Sequence, residues 1–340
     1  MKTNDKNHYD LIIIGSGIGG LATACWVKQR ALNFLVIEIN KELMLNLKYG
    51  VHYLHTIPDL PFDADLKSIV LTDGILKEDG TISHTPNLKD VLEYSEKVRE
   101  IQHPSSIFEV GKRDKVFIPK SNSLDNLILS MYEYAGPENF LFDTEVCNID
   151  LDRKILYKKK NGAEYELECK NIVSTIPIGK LLDLTPNLTK KPALYCRPIR
   201  TVNVKVNKIV PNWLINLYVP SLKEKVYRAS ILNNTMSVES VDELNPDDIL
   251  NLKKLFKMFY LDVSDPIKYE WKQGKIISIS MDERRALIEK FLEKDIYTIG
   301  RFGLWNNKLL MDATIGQAKS VIDCITKPID KKELIKKLSI

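Results

Sequence analysis

The chain opens on a run that few folds accommodate. Tyr9-Asp10-Leu11-Ile12-Ile13-Ile14 is followed by Gly15-Ser16-Gly17-Ile18-Gly19-Gly20 and then by a mostly apolar stretch from Leu21 to Arg30. The first segment reads as a buried strand, the glycines as a tight turn and the third segment as a helix. Phe34-Leu35-Val36-Ile37 is a second strand and ends on Glu38. Strand, glycine turn, helix, strand and acid stand in the order of a parallel βαβ unit that holds a dinucleotide. Gly15 allows the turn, Gly17 lets a pyrophosphate approach the backbone, and Gly20 lets the helix pack close to the sheet. The helix start, with Ile18 in the same turn, adds unpaired N–H groups and a partial positive charge. Glu38 is placed to accept hydrogen bonds from adenosine ribose hydroxyls. It would repel a 2′-phosphate, so NADP is the least suited dinucleotide. A leader peptide or membrane anchor over Leu11 to Val27 is disfavoured by its glycines and by a length short of the roughly 20 residues a span needs.

The remaining bulk properties narrow the class. With 340 residues, 44% of them hydrophobic and 28% charged, the chain has room for two globular units. A net charge of +4 is too small to imply a nucleic-acid partner. Lys158-Lys159-Lys160 and Lys331-Lys332 read as solvated surface. Cys25, Cys147, Cys169, Cys196 and Cys324 form no CxxC pair, which points to unpaired thiols in a reducing compartment and to neither a disulfide scaffold nor a zinc site. The expected location is cytoplasmic, with no membrane span.

Further along, residues 57–90 read as loop with short elements, and Leu88 to Ile101 as a helix. Ile107 to Val110 and Val116 to Pro119 read as a hairpin, and Ser121 or Ser123 as caps for a helix buried through Leu124, Leu127, Ile128 and Met131. A strand from Phe140 reaches Val146, Asn161-Gly162 marks a tight turn, and Asn171 to Pro177 is a buried strand. Strands are expected at 199–206, Leu214 to Val219, Lys225 to Leu232 and Ile276 to Ser280; helices at Ile249 to Tyr260 and Glu283 to Leu292. The chain closes with strand Ile296 to Ile299, loop Gly300 to Met311 and helix Asp312 to Ile325. An N-terminal βαβ unit completed by separated later pieces predicts an α/β fold. Its dinucleotide domain, of the glutathione-reductase type, is expected from 1–50, 135–190 and 270–340, with an inserted β-rich α+β substrate domain from 51–134 and 191–269.

Three segments carry a resemblance. Gly300-Arg301-Phe302-Gly303-Leu304-Trp305 through Met311-Asp312, Tyr49-Gly50-Val51-His52-Tyr53-Leu54-His55-Thr56 and Ser174-Thr175-Ile176-Pro177 are similar to flavin-binding segments of UDP-galactopyranose mutases and of the amine oxidase and protoporphyrinogen oxidase superfamily. The resemblance implies FAD as cofactor. It implies contacts from Gly15, Gly17, Ile18, Gly20, Glu38 and Val146 at one end and from Gly300, Arg301 and Asp312 at the other. Asp312 would cap the last helix or meet the ribityl chain. His52 and His55 would lie by the flavin. As metal ligands they lack an evident third partner, so no metal is expected. Leu194-Tyr195-Cys196-Arg197 and Val226-Tyr227-Arg228 resemble segments that bind diphosphate.

The activity expected is an FAD-dependent oxidoreductase. A small amine or other C–H donor would pass hydride to flavin N5 in a pocket lined by His52, His55, Arg197, Arg228 and Trp305. The arginines favour an anionic or nucleotide-linked substrate. Two alternatives stay open: a mutase-like isomerase using reduced FAD without net redox, and a non-catalytic FAD- or NAD-binding module.

Overall fold

A computed structural model describes residues 8–47, 49–100, 110–111, 113–152, 155–160, 162–248, 261–327 and 330–339. Along the chain these form β1 (His8–Ile14), α1 (Ile18–Gln29), β2 (Phe34–Ile37), β3 (Leu66–Leu76), β4 (Ile82–Ser83), α2 (Leu88–Arg99), β5 (Lys115–Pro119) and α3 (Leu124–Ala135). There follow β6 (Phe140–Leu141), β7 (Glu145–Asp150), β8 (Ile155–Lys160), β9 (Ala163–Ser174), α4 (Ile178–Leu184), β10 (Tyr195–Tyr218), β11 (Val226–Ser240) and β12 (Leu261–Ile277). The last elements are α5 (Met281–Leu292), β13 (Ile296–Thr298), α6 (Gly300–Gly303), α7 (Met311–Thr326) and α8 (Lys331–Ser339).

The first sheet has the order β6-β2-β1-β9-β8-β7, with β13 also paired to β9. Strand β9 pairs with three strands of this one sheet. Its first half forms an antiparallel hairpin with β8, and its second half runs parallel between β1 and β13. Strand β1 is apolar without alternation because both its faces are covered. Leu11 and Ile13 join a core with α1, α3 and α7, while Ile12 and Ile14 join a core with α4 and α5. Helix α1 is buried from Gly19 to Val27, which explains its lack of a polar face.

The second sheet is organised by β10. Its early part lies between β11 and β12, and its later part between β11 and β3. The two strands expected at 199–206 and 214–219 are therefore one strand with irregular register in the middle. Strand β3 lies where a loop is expected. Asp73 and Gly74 look like turn residues, yet Gly74 sits in the strand because a Cβ there would come 2.5 Å from the Ile82 side chain. Of the hairpin expected at 107–119, the second strand is present as β5, which pairs antiparallel with Leu66 to Val70 of β3. Residues 107–109 and the helix expected at 249–260 lie outside the described residues. Helix α3 is capped by the Ser123 side chain, which accepts from Asp125 N. It packs on α1 of the first sheet although all but its last residue lies within 51–134, and β12 runs through the 269/270 boundary. Among the described residues no helix is long and apolar enough to cross a membrane.

Candidate active site

Four parallel strands of the first sheet deliver residues to one place at their carboxyl ends. β1 leads to Ser16, Gly17, Ile18 and Gly19; β2 to Glu38; β9 to Thr175; β13 to Ile299, Gly300, Arg301 and Phe302. All of these line a cavity of about 860 Å³, whose opposite wall comes from the second sheet and from the segment around His52. A crevice at the carboxyl ends of parallel strands is where open α/β sheets bind ligands, and the volume is at the upper end of about 300–1,000 Å³ for ligand sites.

The glycine end is built for close backbone approach. Gly15 adopts φ +97°, and a Cβ at Gly20 would lie 1.9 Å from the Gly15 carbonyl oxygen, so only glycine fits there. At Gly17 an added Cβ meets nothing within 4 Å, leaving open space beside the helix start. No side chain caps α1, so its first N–H groups remain available to an anion. Glu38 is buried and accepts from Ser16 N and Ser16 Oγ, each at 2.8 Å, and from Asn40 N at 2.9 Å. This network fixes the carboxylate between the glycine turn and the end of β2. Gly15 and Gly20 shape the turn from behind and do not line the cavity. Val146 is buried in the core that the first sheet shares with α4 and α5 and does not line the cavity.

Midway, His52 and His55 both line the cavity. His52 stands edge-on to Trp271, with ring centres 5.8 Å apart, and its Nε2 is buried without a hydrogen-bond partner. Burial pushes the imidazole down to about 4 against the pull of Glu239, so it is neutral at pH 7. His55 packs edge-on to Tyr53 at 5.1 Å. Asp312 is not the cap of α7. That position falls to Leu310, which has no capping side chain; Asp312 instead accepts from Thr56 Oγ1 at 2.8 Å and ties the His55 segment to α7. Met311 and Thr314 of the same helix reach the cavity.

The far end is cationic. Arg228 donates to Glu239, which also accepts from the Tyr227 hydroxyl. Burial alone would raise the Glu239 carboxyl, but Arg228 and Lys275 bring it below the usual carboxylate range. Burial would likewise lower Arg228; Glu239 outweighs it and holds the guanidinium well above its ordinary value. Arg301 donates from Nε to Leu309 O at 2.9 Å, and burial with Arg228 and Arg99 pushes it down to about 10, still charged at neutral pH. Arg99, Lys275, Asp73, Tyr53, Tyr94 and Tyr218 complete this wall.

Two expected site residues lie elsewhere. Arg197 donates to Lys97 O at 2.9 Å and pairs with Asp242 at 3.1 Å and Glu100 at 3.3 Å, outside the cavity. Trp305 is buried in the core against Phe302 and also does not reach the cavity. The structure therefore brings Arg228, but not Arg197, to the site. Glu239, Lys275 and Arg99 were not distinguishable in the sequence, because each stands on a strand or helix with ordinary alternation and no spaced partner.

No protein-family model and no curated protein matches the chain in sequence. Solved structures do match. Reduced UDP-galactopyranose mutase aligns with a TM-score of 0.70 at 14% identity, over 98% of this chain and 99% of its own. The chain has that fold. A double mutant of putrescine oxidase, redesigned in cofactor binding, aligns with a TM-score of 0.60 at 11% identity, over 94% and 99% of the two chains. Aklavinone-11 hydroxylase in complex with FAD and aklavinone gives 0.51 at 13% identity, over 92% of this chain and 61% of its own. At these identities the likeness is one of fold.

Proposed function

We propose that the protein is an FAD-dependent enzyme, an oxidoreductase acting on a small substrate that carries an anionic group. One observation carries this reading. A single cavity joins a glycine turn with an uncapped helix start and a buried strand-end carboxylate to a wall of arginines, with neutral His52 between them. The residues present fit the cofactor: Gly17 offers open space at the backbone, Glu38 stands at the end of β2, and Gly300 and Arg301 lie at the end of β13. Ser16 to Ile18 and Glu38 would hold the dinucleotide end, and Gly300 and Arg301 the flavin end. When bound, FAD supplies a two-electron acceptor. The chain's own residues bind and orient substrate. Arg228 attracts its anion, and His52, uncharged, offers a hydrogen-bonding nitrogen without adding charge.

We take 1–50, 135–190 and 270–340 as the cofactor unit and 51–134 and 191–269 as the substrate unit, with α3 and the end of β12 bridging them. The test is substrate-dependent bleaching of bound FAD across small carboxylates, amino acids and amines. Reduction by an anionic member supports the reading, and reduction only by amines that carry no anionic group counts against it.

A mutase-like isomerisation is the second reading, favoured by the TM-score of 0.70 over nearly the whole of both chains. It would hold a diphosphate at Arg228 without help from Arg197. UDP-galactose conversion by dithionite-reduced protein, with no net change in flavin redox state, would select it.

A further inference from the structure

The far wall of the cavity carries more positive charge than its carboxylates balance. Arg99, Arg228, Lys275 and Arg301 line it, near enough to perturb one another's charge. Glu239 is their shared carboxylate, and it is already engaged by Arg228 and by Tyr227. Asp73, further along the wall, accepts from Gly111 N at 2.8 Å. The donors are unequally used. Arg99 and Arg301 each give Nε to a main-chain carbonyl, of Ile276 and Leu309. Arg228 Nε is buried with no partner. Among the described residues, Lys275 Nζ meets only the Tyr227 ring, 4.3 Å from its centre. A buried donor without an acceptor, as Arg228 Nε is beside this cavity, calls for one from outside the chain.

We propose that Lys275 and Arg228, backed by Arg99, form an oxyanion subsite that takes a compact anionic group of the substrate, a carboxylate or a phosphate. This rests on the reading above, in which FAD fills the glycine end and reaches Gly300 and Arg301, leaving the rest of the cationic wall to substrate.

The subsite has a consequence for protons. An ammonium among three guanidiniums, with the one nearby carboxylate already claimed, is disfavoured. Burial and Arg228 hold Lys275 well below the lysine range, Arg99 and Arg301 add to this, and Glu239 opposes it. Asp73 and Arg113 are further charged groups of the cavity lining, whereas the nearby tyrosines and His52 stay uncharged through neutral pH. Tyr53, Tyr94, Tyr218 and Tyr227 are all raised by burial, and His52 is neutral above about 4. An incoming oxyanion supplies the missing negative charge and so raises the amine's affinity for its proton. Anion binding and proton uptake are coupled through Lys275.

Sulfate, which does not titrate near neutrality, is the probe. It is added to the purified full chain loaded with FAD. Binding is followed by flavin absorbance, and protons by an indicator in dilute buffer. The expected result is saturable binding with net proton uptake, at most about one per site, and affinity that rises as pH falls, by at most about tenfold per pH unit. Lys275→Met should abolish the uptake and flatten the pH dependence; Lys275→Arg should bind sulfate without uptake. Acetate displacing sulfate identifies a carboxylate as the natural group, and tighter displacement by UDP identifies a nucleotide-linked phosphate. Sulfate binding that is the same in Lys275→Met overturns the subsite. So does displacement of FAD by sulfate, which would assign the cluster to the cofactor. FAD content is read before sulfate is added. Protein that holds FAD and ignores sulfate defeats the subsite alone, whereas protein that holds no FAD but takes up protons on sulfate addition defeats the cofactor reading alone.

Discussion

Replacing Glu239 by Gln keeps the side chain's shape and removes the charge that the cationic wall shares. Glu239 is 3% exposed, and its two oxygens serve Arg228 and Tyr227. The Gln oxygen can still accept from Tyr227, so the loss is concentrated on Arg228. Two unit charges about 4 Å apart interact by roughly 4 kcal/mol at an effective dielectric constant near 20. Removing one partner of a buried pair costs about 3–5 kcal/mol, because the other charge is stranded. That is a large part of the roughly 5–15 kcal/mol that separates most folded proteins from their unfolded chains. Urea denaturation at pH 7.5, followed by tryptophan fluorescence, should show Glu239→Gln destabilised by an amount in that range. The pH dependence has a definite sign. The folded carboxyl lies below its unfolded value, so its contribution is full above about pH 4.3 and disappears as pH falls through the folded value. Wild type and variant should converge in acid. Sulfate should restore part of the variant's loss by supplying the missing charge. A variant as stable as wild type at pH 7.5, with no response to sulfate, would refute the charge imbalance on which this reasoning depends.

Gly20→Ala should lose bound FAD and unfold at lower temperature, because its Cβ would lie 1.9 Å from the Gly15 carbonyl oxygen; the ratio of flavin to protein absorbance reads the first effect. Arg228→Ala should weaken anion binding at least tenfold, whereas Arg197→Ala, an exposed-pair residue away from the cavity, should change it by less than about twofold; isothermal titration with sulfate compares them. The His52 imidazole should stay neutral from pH 5.5 to 8, since burial pushes it down to about 4; ring nitrogen chemical shifts that titrate near 6.5 would contradict this. Lys275 is depressed in the folded state, so above its folded value stability should rise with pH toward about 10.4, where the unfolded amine titrates; Lys275→Met should remove that slope in denaturation curves.

The first sheet was legible because its signals are local. A glycine turn fixes where β1 ends and α1 begins, and a fully apolar strand such as Leu11 to Ile14 needs cover on both faces. The second sheet was less so. Asp73 and Gly74 look like turn residues, and only the side chain of Ile82 across the strand shows why glycine belongs there. The pairing of β5 with β3 is likewise long-range and has no local signal along the chain. At the site, the glycine end and the two histidines could be named in advance, while the arginines could not be sorted. Arg197 and Arg228 both sit on strands next to a tyrosine or cysteine, and only the register of β10 with β11 and β12 sends one to the cavity and the other to Asp242. Lys275 and Glu239 gain meaning from their mutual position, which no spacing along the chain encodes.

The central claim is that this crevice holds FAD. The most direct measurement is the visible absorbance spectrum of the purified full chain, with chromatographic identification of whatever is released on denaturation. The account predicts two flavin bands and released FAD in near-equal amount with protein. A colourless protein that takes up no FAD when it is supplied in excess would contradict it.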